Sequence, residues 1–98
     1  MQARDNYKQA LAVVASVVHQ WDPYRLLAGG APADEFDAEI AKVAARVSHM
    51  RSAQEAAQVL SAVFSEAFEP HLFTPEACAQ PGSLLFSRLA ENGLASHA

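Results

Sequence analysis

Apolar residues in the first part of the chain recur at helical spacing. Successive intervals of four, three, four and three positions separate Tyr7, Leu11, Val14, Val18 and Trp21. This spacing is typical of an amphipathic α-helix, and neighbouring apolar residues widen the stripe to an arc of about 160° at 100° per residue. Nowhere do apolar and polar residues alternate over four or more positions, so no strand is predicted. The first helix, from about Ala3 to Trp21, therefore belongs to an all-α fold and contacts two neighbours.

Two further long helices are predicted in the middle of the chain. The first follows Asp34, runs to about Ser48 and has one narrow apolar face, made of Phe36, Ile40, Val43 and Val47. The next begins at Ser52, which with Glu55 forms the S-x-x-E pattern of a capping box. It ends before Pro70, because proline lacks the amide hydrogen that a helix interior needs.

The last helix is predicted to be short. Residues 74–76 read as an N-cap threonine, a proline and an early acid, which start a single turn that Pro81 and Gly82 close. The helix itself is expected to start near Ser83 and to stop at Gly93, with residues 94–98 fraying. We expect a compact bundle of four helices, three long and one short and C-terminal, with residues 1–98 forming a single domain.

A long ordered loop is predicted between the first two helices. Asp22 and Pro23 stop the first helix, because the residue before a proline is pushed out of the helical region. The loop is unusually apolar, so Leu26 and Leu27 are expected to pack onto the core. Gly29 and Gly30 lack the surrounding pattern of a phosphate-binding loop.

Composition excludes several classes of partner. Seven Lys and Arg stand against eleven Asp and Glu, and the basic residues are dispersed, so we expect no nucleic-acid binding. The longest apolar run is too short to cross a bilayer, and the N-terminus does not read as a secretory signal, so we expect no membrane association and a cytoplasmic location. An apolar fraction of 51% beside 18% charged residues indicates an apolar surface patch that could form a homodimer.

Acidic residues crowd the predicted start of the second helix, and two interpretations compete for them. They are Asp34, Glu35, Asp37 and Glu39. A metal or general acid/base site built on Asp34 and Asp37 is one reading, since hard cations bind several oxygens. The favoured interpretation is helix electrostatics. Acids at the N-terminal end and bases at the C-terminal end complement the helix dipole. In addition, Glu35 and Glu39 can pair on the surface with Lys42 and Arg46.

Asp37 differs from these acids, because it projects to the opposite flank of the helix. It is expected to cap the helix together with Asp34, to pair with a cation such as Arg25, or to face a partner, and one of the two internal arrangements is favoured.

Trp21 lies in phase with the first apolar stripe and is assigned to the core. The better interface candidates are Tyr24, Arg25, Gly29 and Gly30, which lie beside the turn; exposed tryptophan and tyrosine commonly anchor protein interfaces.

Histidine and cysteine give no predicted metal or cofactor site. The four histidines, at positions 19, 49, 71 and 97, lack paired ligand spacing, and Cys78 has no base near it in sequence. A single cysteine also excludes an intrachain disulfide.

Two motifs resemble a known family. The run W-D-P-Y-x-L-L-A-x-G-A-P-x-D-E-F-D-x-E-I begins at Trp21, and V-F-S-x-x-F begins at Val63. Together they are similar to the YugE-like, DUF1871 family of small bacterial proteins, over about Tyr7 to Cys78. The resemblance implies a compact helical domain and no established activity. The motif positions it carries over are Trp21, Asp22, Pro23, Gly30, Ala31, Pro32, Asp34, Glu35, Asp37, Glu39 and Ile40, whereas Phe36 stands where the family pattern has tyrosine.

The leading hypothesis for function is a non-enzymatic, acidic, helical protein-binding module that contacts its partner through residues 21–40. The first alternative is a metal-dependent or acid/base enzyme site at Asp34 and Asp37. The second is a homodimeric structural protein. The candidate contact residues are Tyr24, Arg25, Gly29, Gly30, Asp34 and Asp37, and no cofactor is predicted.

Overall fold

The computed structural model describes residues 3–32, 34–68 and 70–94. Four α-helices lie within these ranges: α1 (Ala3–Trp21), α2 (Asp37–Ala44), α3 (Ala53–Ala67) and α4 (Ala79–Glu91). Single 3-10 turns follow α1, α2 and α3, at Pro23–Arg25, Val47–His49 and Pro70–Leu72. No strand occurs in the described ranges. The predicted all-α bundle of four helices is confirmed.

One hydrophobic core joins the four helices. α1 packs against both α2 and α4, as its wide apolar arc predicts, and α3 packs most extensively against α4. Val14, Val17 and Val18 of α1 are fully buried. Tyr7 was placed on the same apolar stripe, but 41% of its surface is exposed. The stripe therefore enters the core only from Ala10 onward.

The lengths of α2 and α4 differ from the prediction. α2 is the shortest of the four helices. Residues 34–36 form a turn before it, and it ends at Ala44 rather than near Ser48, because a turn and the 3-10 turn Val47–His49 follow. α4 has 13 residues and includes Pro81 and Gly82 in its first turn. Proline is compatible with a first turn because the amide hydrogen it lacks would have no helical partner there. The predicted start near Ser83 is wrong for this reason.

Capping explains where α3 begins. The Glu55 amide donates to Ser52 Oγ at 3.1 Å, as the capping-box pattern predicts. The Glu55 carboxylate accepts from the Arg51 amide at 2.7 Å, one residue before the position that a regular capping box uses. The turn before α4 is capped similarly, since the Ala77 amide donates to Thr74 Oγ1 at 3.1 Å.

Leu94, the first residue of the segment predicted to fray, packs against the core instead. The rest of the segment predicted to fray, residues 95–98, lies outside the described residues, as does His97. Within the described part of the chain, no helix combines the length and the apolarity that a bilayer crossing requires.

Candidate interaction surface

The loop after α1, here called the Tyr24 loop (residues 22–31), has an unusual backbone. Three residues other than glycine adopt positive φ: Asp22 at 47°, Tyr24 at 60° and Arg25 at 54°. The left-handed conformation costs roughly 1–2 kcal/mol per residue for most L-amino acids, and less for aspartate. Glycine supplies the remaining positive φ, at Gly30 with 103°. The surrounding structure must therefore hold Tyr24 and Arg25 in place.

The Asp22 carboxylate is one of the groups that hold the loop. Its Oδ1 accepts from the Leu27 amide at 2.8 Å and its Oδ2 from the Ala28 amide at 3.0 Å. The backbone of Asp22 also contributes, because its carbonyl accepts from the Arg25 amide at 2.8 Å. Sequence reasoning assigned Asp22 only the role of ending α1 and missed this function. The sequence does contain a signal for this role. Asp22 precedes a loop whose backbone amides have no helical hydrogen-bond partner, and aspartate side chains commonly accept from such amides.

Leu26 and Leu27 anchor the other side of the loop. Both side chains are partly buried and pack against the core, as predicted. The Gly29 amide donates to the Arg25 carbonyl at 2.9 Å, and a Cβ at position 29 would lie 3.2 Å from that oxygen. Glycine at position 29 thus allows its backbone to lie close to the Arg25 carbonyl, whereas glycine at position 30 allows the positive φ.

Tyr24 lies at the exposed edge of an aromatic cluster. The cluster comprises Trp21, Tyr24, Phe36, Phe64, Phe68 and Phe73. The Tyr24 ring meets Phe68 and Phe73 edge-on, at centroid distances of 5.7 and 5.6 Å, yet 44% of the residue remains exposed. These edge-to-face contacts hold the ring in one orientation while leaving much of its surface open to a partner.

The other members of the cluster hold the rings beneath Tyr24 in place. Trp21 packs edge-on against Phe64 at 5.0 Å and is partly buried, so its assignment to the core is confirmed although one side faces solvent. The carbonyl of Phe73 accepts from the hydroxyls of Ser61 and Ser65, the latter at 3.1 Å. These two serines of α3 fix the backbone that carries Phe73, and hence one of the two rings under Tyr24.

Arg25 and Asp37 do not meet. Both are exposed, and neither side chain has a hydrogen bond or an ion pair with a described residue. Asp34 is also exposed, and only its backbone carbonyl is used, by the Asp37 amide at 3.1 Å. The N-cap of α2 is Phe36, without a side-chain capping bond. The predicted capping by Asp34 and Asp37 and the predicted Asp37–Arg25 pair are both wrong, because the N-cap is Phe36, two residues later than expected.

The electrostatics of α2 agree in part with the prediction. Asp37 and Glu39 lie in its first turn and Lys42 in its last, as the helix dipole favours. Lys42 nevertheless reaches to α3, where its Nζ lies 3.6 Å from Glu66 Oε1, so the surface pairing predicted within α2 gives way to a pair between helices. Both partners are largely exposed, and the pair contributes little to stability.

Cys78 is fully buried just before α4. Burial raises the pKa of its thiol from the ordinary value of 9.0 to about 11, since the charged thiolate would lose its hydration. The thiol is therefore protonated at neutral pH and shielded from substrates, which removes it as a nucleophile. Among the described residues, no group of three or more His, Cys, Asp or Glu side chains could hold a metal ion.

Comparison with known proteins gives one match. A family model described as a domain of unknown function, DUF1871, matches residues 13–88. This span contains the whole Tyr24 loop, the aromatic cluster and most of α4, and leaves out Tyr7. No curated protein and no solved structure matches the chain.

Proposed function

Because the chain belongs to the DUF1871 family, whose function is unknown, its activity must be inferred from its geometry, and we propose that it is a non-enzymatic protein-binding module. Its contact surface is the Tyr24 loop, with Tyr24 and Arg25 as the main contacts and Asp34 and Asp37 beyond the end of the loop. Its proposed compartment is the cytoplasm, in agreement with the single free cysteine, Cys78.

A single observation carries the proposal: Tyr24 and Arg25 are exposed and are both held at positive φ. Residues in sparsely populated backbone conformations persist only where the surrounding structure enforces them, and they concentrate at functional sites. Here the conformation is enforced by the Asp22 carboxylate and by the rings of Phe68 and Phe73. Neither strained residue is buried in the core, because Arg25 is exposed and 44% of Tyr24 remains exposed.

The two side chains also have the right chemistry. Tyrosine and arginine are among the residues whose truncation costs most binding energy in protein interfaces. Tyr24 offers a large, rigid contact area, and the Arg25 guanidinium, free of any described partner, offers five donors. A loop that is already ordered loses little conformational entropy on binding, which favours affinity.

The two alternative functions have less support. An enzyme site at Asp34 and Asp37 needs further groups converging on them, and both carboxylates are exposed. A homodimer was inferred from the high apolar fraction, but 21 of the 98 residues are alanine, which adds to that fraction without large apolar side chains. The large hydrophobic residues exposed in the described structure are Tyr7, Tyr24 and Leu72. The homodimer stays a prediction that light scattering can test.

Affinity capture with matched tyrosine variants tests the proposal. Wild-type protein, Tyr24→Ala, Arg25→Ala and Tyr7→Ala are immobilised and exposed to extract from native cells, and bound proteins are quantified by mass spectrometry. Tyr7 is the matched control because it is nearly as exposed as Tyr24 and lies outside the family match.

We expect at least one protein to be captured equally by wild type and Tyr7→Ala and to be depleted about tenfold or more by Tyr24→Ala, as for an interface hot spot. If Tyr24→Ala and Arg25→Ala retain every protein that the wild type captures, the Tyr24 loop is not the contact surface.

A further inference from the structure

A second feature of the surface is independent of the Tyr24 loop. A shallow cleft of about 360 Å³ lies between α1 and α2, lined by Leu11, Ala12, Ala15, Asp37 and Ile40. Four of the five lining residues are apolar, and the carboxylate of Asp37 supplies the charge. The cleft thus combines an apolar floor with one negative group.

The small side chains on α1 determine what shape the cleft accepts. Ala12 and Ala15 are three positions apart and so lie on the same face of the helix. Alanine leaves the helix backbone accessible to close approach, and the space between two packed helices is a groove into which a third helix fits. An extended segment would leave much of its backbone without hydrogen-bond partners against such an apolar floor.

The negative charge at the cleft indicates that the partner is positively charged there. Asp37 is exposed and makes no hydrogen bond or ion pair through its side chain with any described residue. Asp34 and Glu35, in the turn that precedes it, are exposed and equally unpaired within the described part of the chain. The α2 dipole stabilises Asp37 but leaves these three negative charges close together on a protein of net charge -4. Such a field attracts cations and repels acidic partners.

We propose that the cleft between α1 and α2 binds a basic amphipathic helix of a partner protein. The apolar face of that helix packs on Leu11, Ala12 and Ala15, and a lysine or arginine beside this face pairs with Asp37. This mode is helix-in-groove recognition, with affinity from the apolar face and orientation from the charge pair. The cleft shares Asp37 with the contact surface proposed above but contains no residue of the Tyr24 loop, so variants of Tyr24 and Arg25 test that surface separately.

Two synthetic helical peptides of about 18 residues, long enough for five turns, test this assignment. Both carry the same leucine and alanine face, and one has lysines where the other has glutamates. Titration into isotope-labelled protein is followed by amide chemical shifts. We expect the lysine peptide to shift amides of residues 11–15 and 37–41, and the glutamate peptide to leave them unchanged.

Matched variants separate the cleft from general attraction between opposite charges. Asp37→Asn should raise the Kd of the lysine peptide about fivefold, as for one exposed ion pair of about 1 kcal/mol. Glu76→Gln removes a charge elsewhere and should leave the Kd unchanged. Ala12→Trp fills the cleft and should abolish the shifts, whereas Ala62→Trp on α3 should not. All four positions are exposed, so the fold tolerates these changes.

The proposal is overturned if the lysine peptide fails to shift residues 11–15 and 37–41, or if the glutamate peptide binds as well. Equal effects of Asp37→Asn and Glu76→Gln would also overturn it, because binding would then follow net charge alone. Loss or retention of capture by Tyr24→Ala has no bearing on these outcomes, so the two proposals fail separately.

Discussion

At the scale of single residues, side chains that accept from backbone amides hold two turns of the chain: Asp22 in the Tyr24 loop and Ser52 at the start of α3. Ser52 and Glu55 were assigned to a capping box because its spacing is a local property of the chain, and the structure confirms the bond. Asp22 was read only as a helix stop, because its bonds to Leu27 and Ala28 depend on how the loop folds back. Asp37 was expected to have an internal partner, and its exposure depends on the position at which α2 begins.

Asp22→Ala should destabilise the protein and loosen the Tyr24 loop. Two hydrogen bonds to a charged carboxylate are lost, which we expect to lower the free energy of unfolding by about 2 kcal/mol. Urea denaturation measures the loss, and amide hydrogen exchange at Leu27 and Ala28 should accelerate. Asp34→Ala is the control, since it removes an exposed acid without a side-chain hydrogen bond and should change stability by less than about 0.5 kcal/mol. Equal stability of the two variants would show that the carboxylate does not hold the loop.

Cys78 should make stability fall with alkaline pH. Below pH 9 the thiol is neutral in both the folded and the unfolded chain. Above it, the unfolded thiol loses its proton whereas the buried thiol, with its pKa raised to about 11, keeps it. The unfolded state is therefore favoured progressively between pH 9 and 11.

The measurement is urea denaturation at pH 8, 9 and 10 of wild type and Cys78→Ala. The variant is less stable at pH 8, because it leaves a small cavity, but the difference between the two proteins should shrink as the pH rises. A difference that stays constant across this range would contradict the raised pKa.

At the scale of elements, the apolar periods located all four helices, and the errors lie at helix ends. α1 and α3 end close to their predicted limits because a proline or a capping residue marks them in the sequence. α4 begins four residues before its predicted start. The prediction treats Pro81 and Gly82 as helix breakers, although both are compatible with the first turn of a helix. The role of Gly82 is set by α3, since a Cβ at this position would lie 2.7 Å from the Ala57 Cα. No sequence pattern within α4 reveals that neighbour.

Gly82→Ala should destabilise the contact between α3 and α4. Alanine is favoured over glycine in helices by up to about 1 kcal/mol, so propensity alone predicts stabilisation. The added methyl meets the backbone of Ala57, which cannot move aside as a flexible side chain would, and overpacking of this kind costs about 1–3 kcal/mol. We expect a net loss in thermal or urea denaturation, with Ser83→Ala, an exposed neighbour, as the control. A more stable Gly82→Ala protein would mean that the helices are not in such close contact.

At the scale of the whole molecule, the chain is an acidic four-helix bundle with one loop under backbone strain. The helical spacing of apolar residues predicted the fold class, whereas the apolar surface patch expected from composition stays a prediction. Phe73 is far from Trp21 and Tyr24 in sequence, so its contacts with both rings could not be predicted from the sequence pattern. The candidate contact residues were named from their types alone, and the strained backbone now supplies a physical reason for two of them.

Photo-crosslinking at single positions tests whether the Tyr24 loop contacts another protein. A photoreactive phenylalanine analogue replaces Tyr24 in one protein and Tyr7 in another, and each is irradiated in native cells. We expect a covalent adduct with a specific protein from position 24 and none with that protein from position 7. The same adducts from both positions, or adducts from position 7 alone, would contradict it.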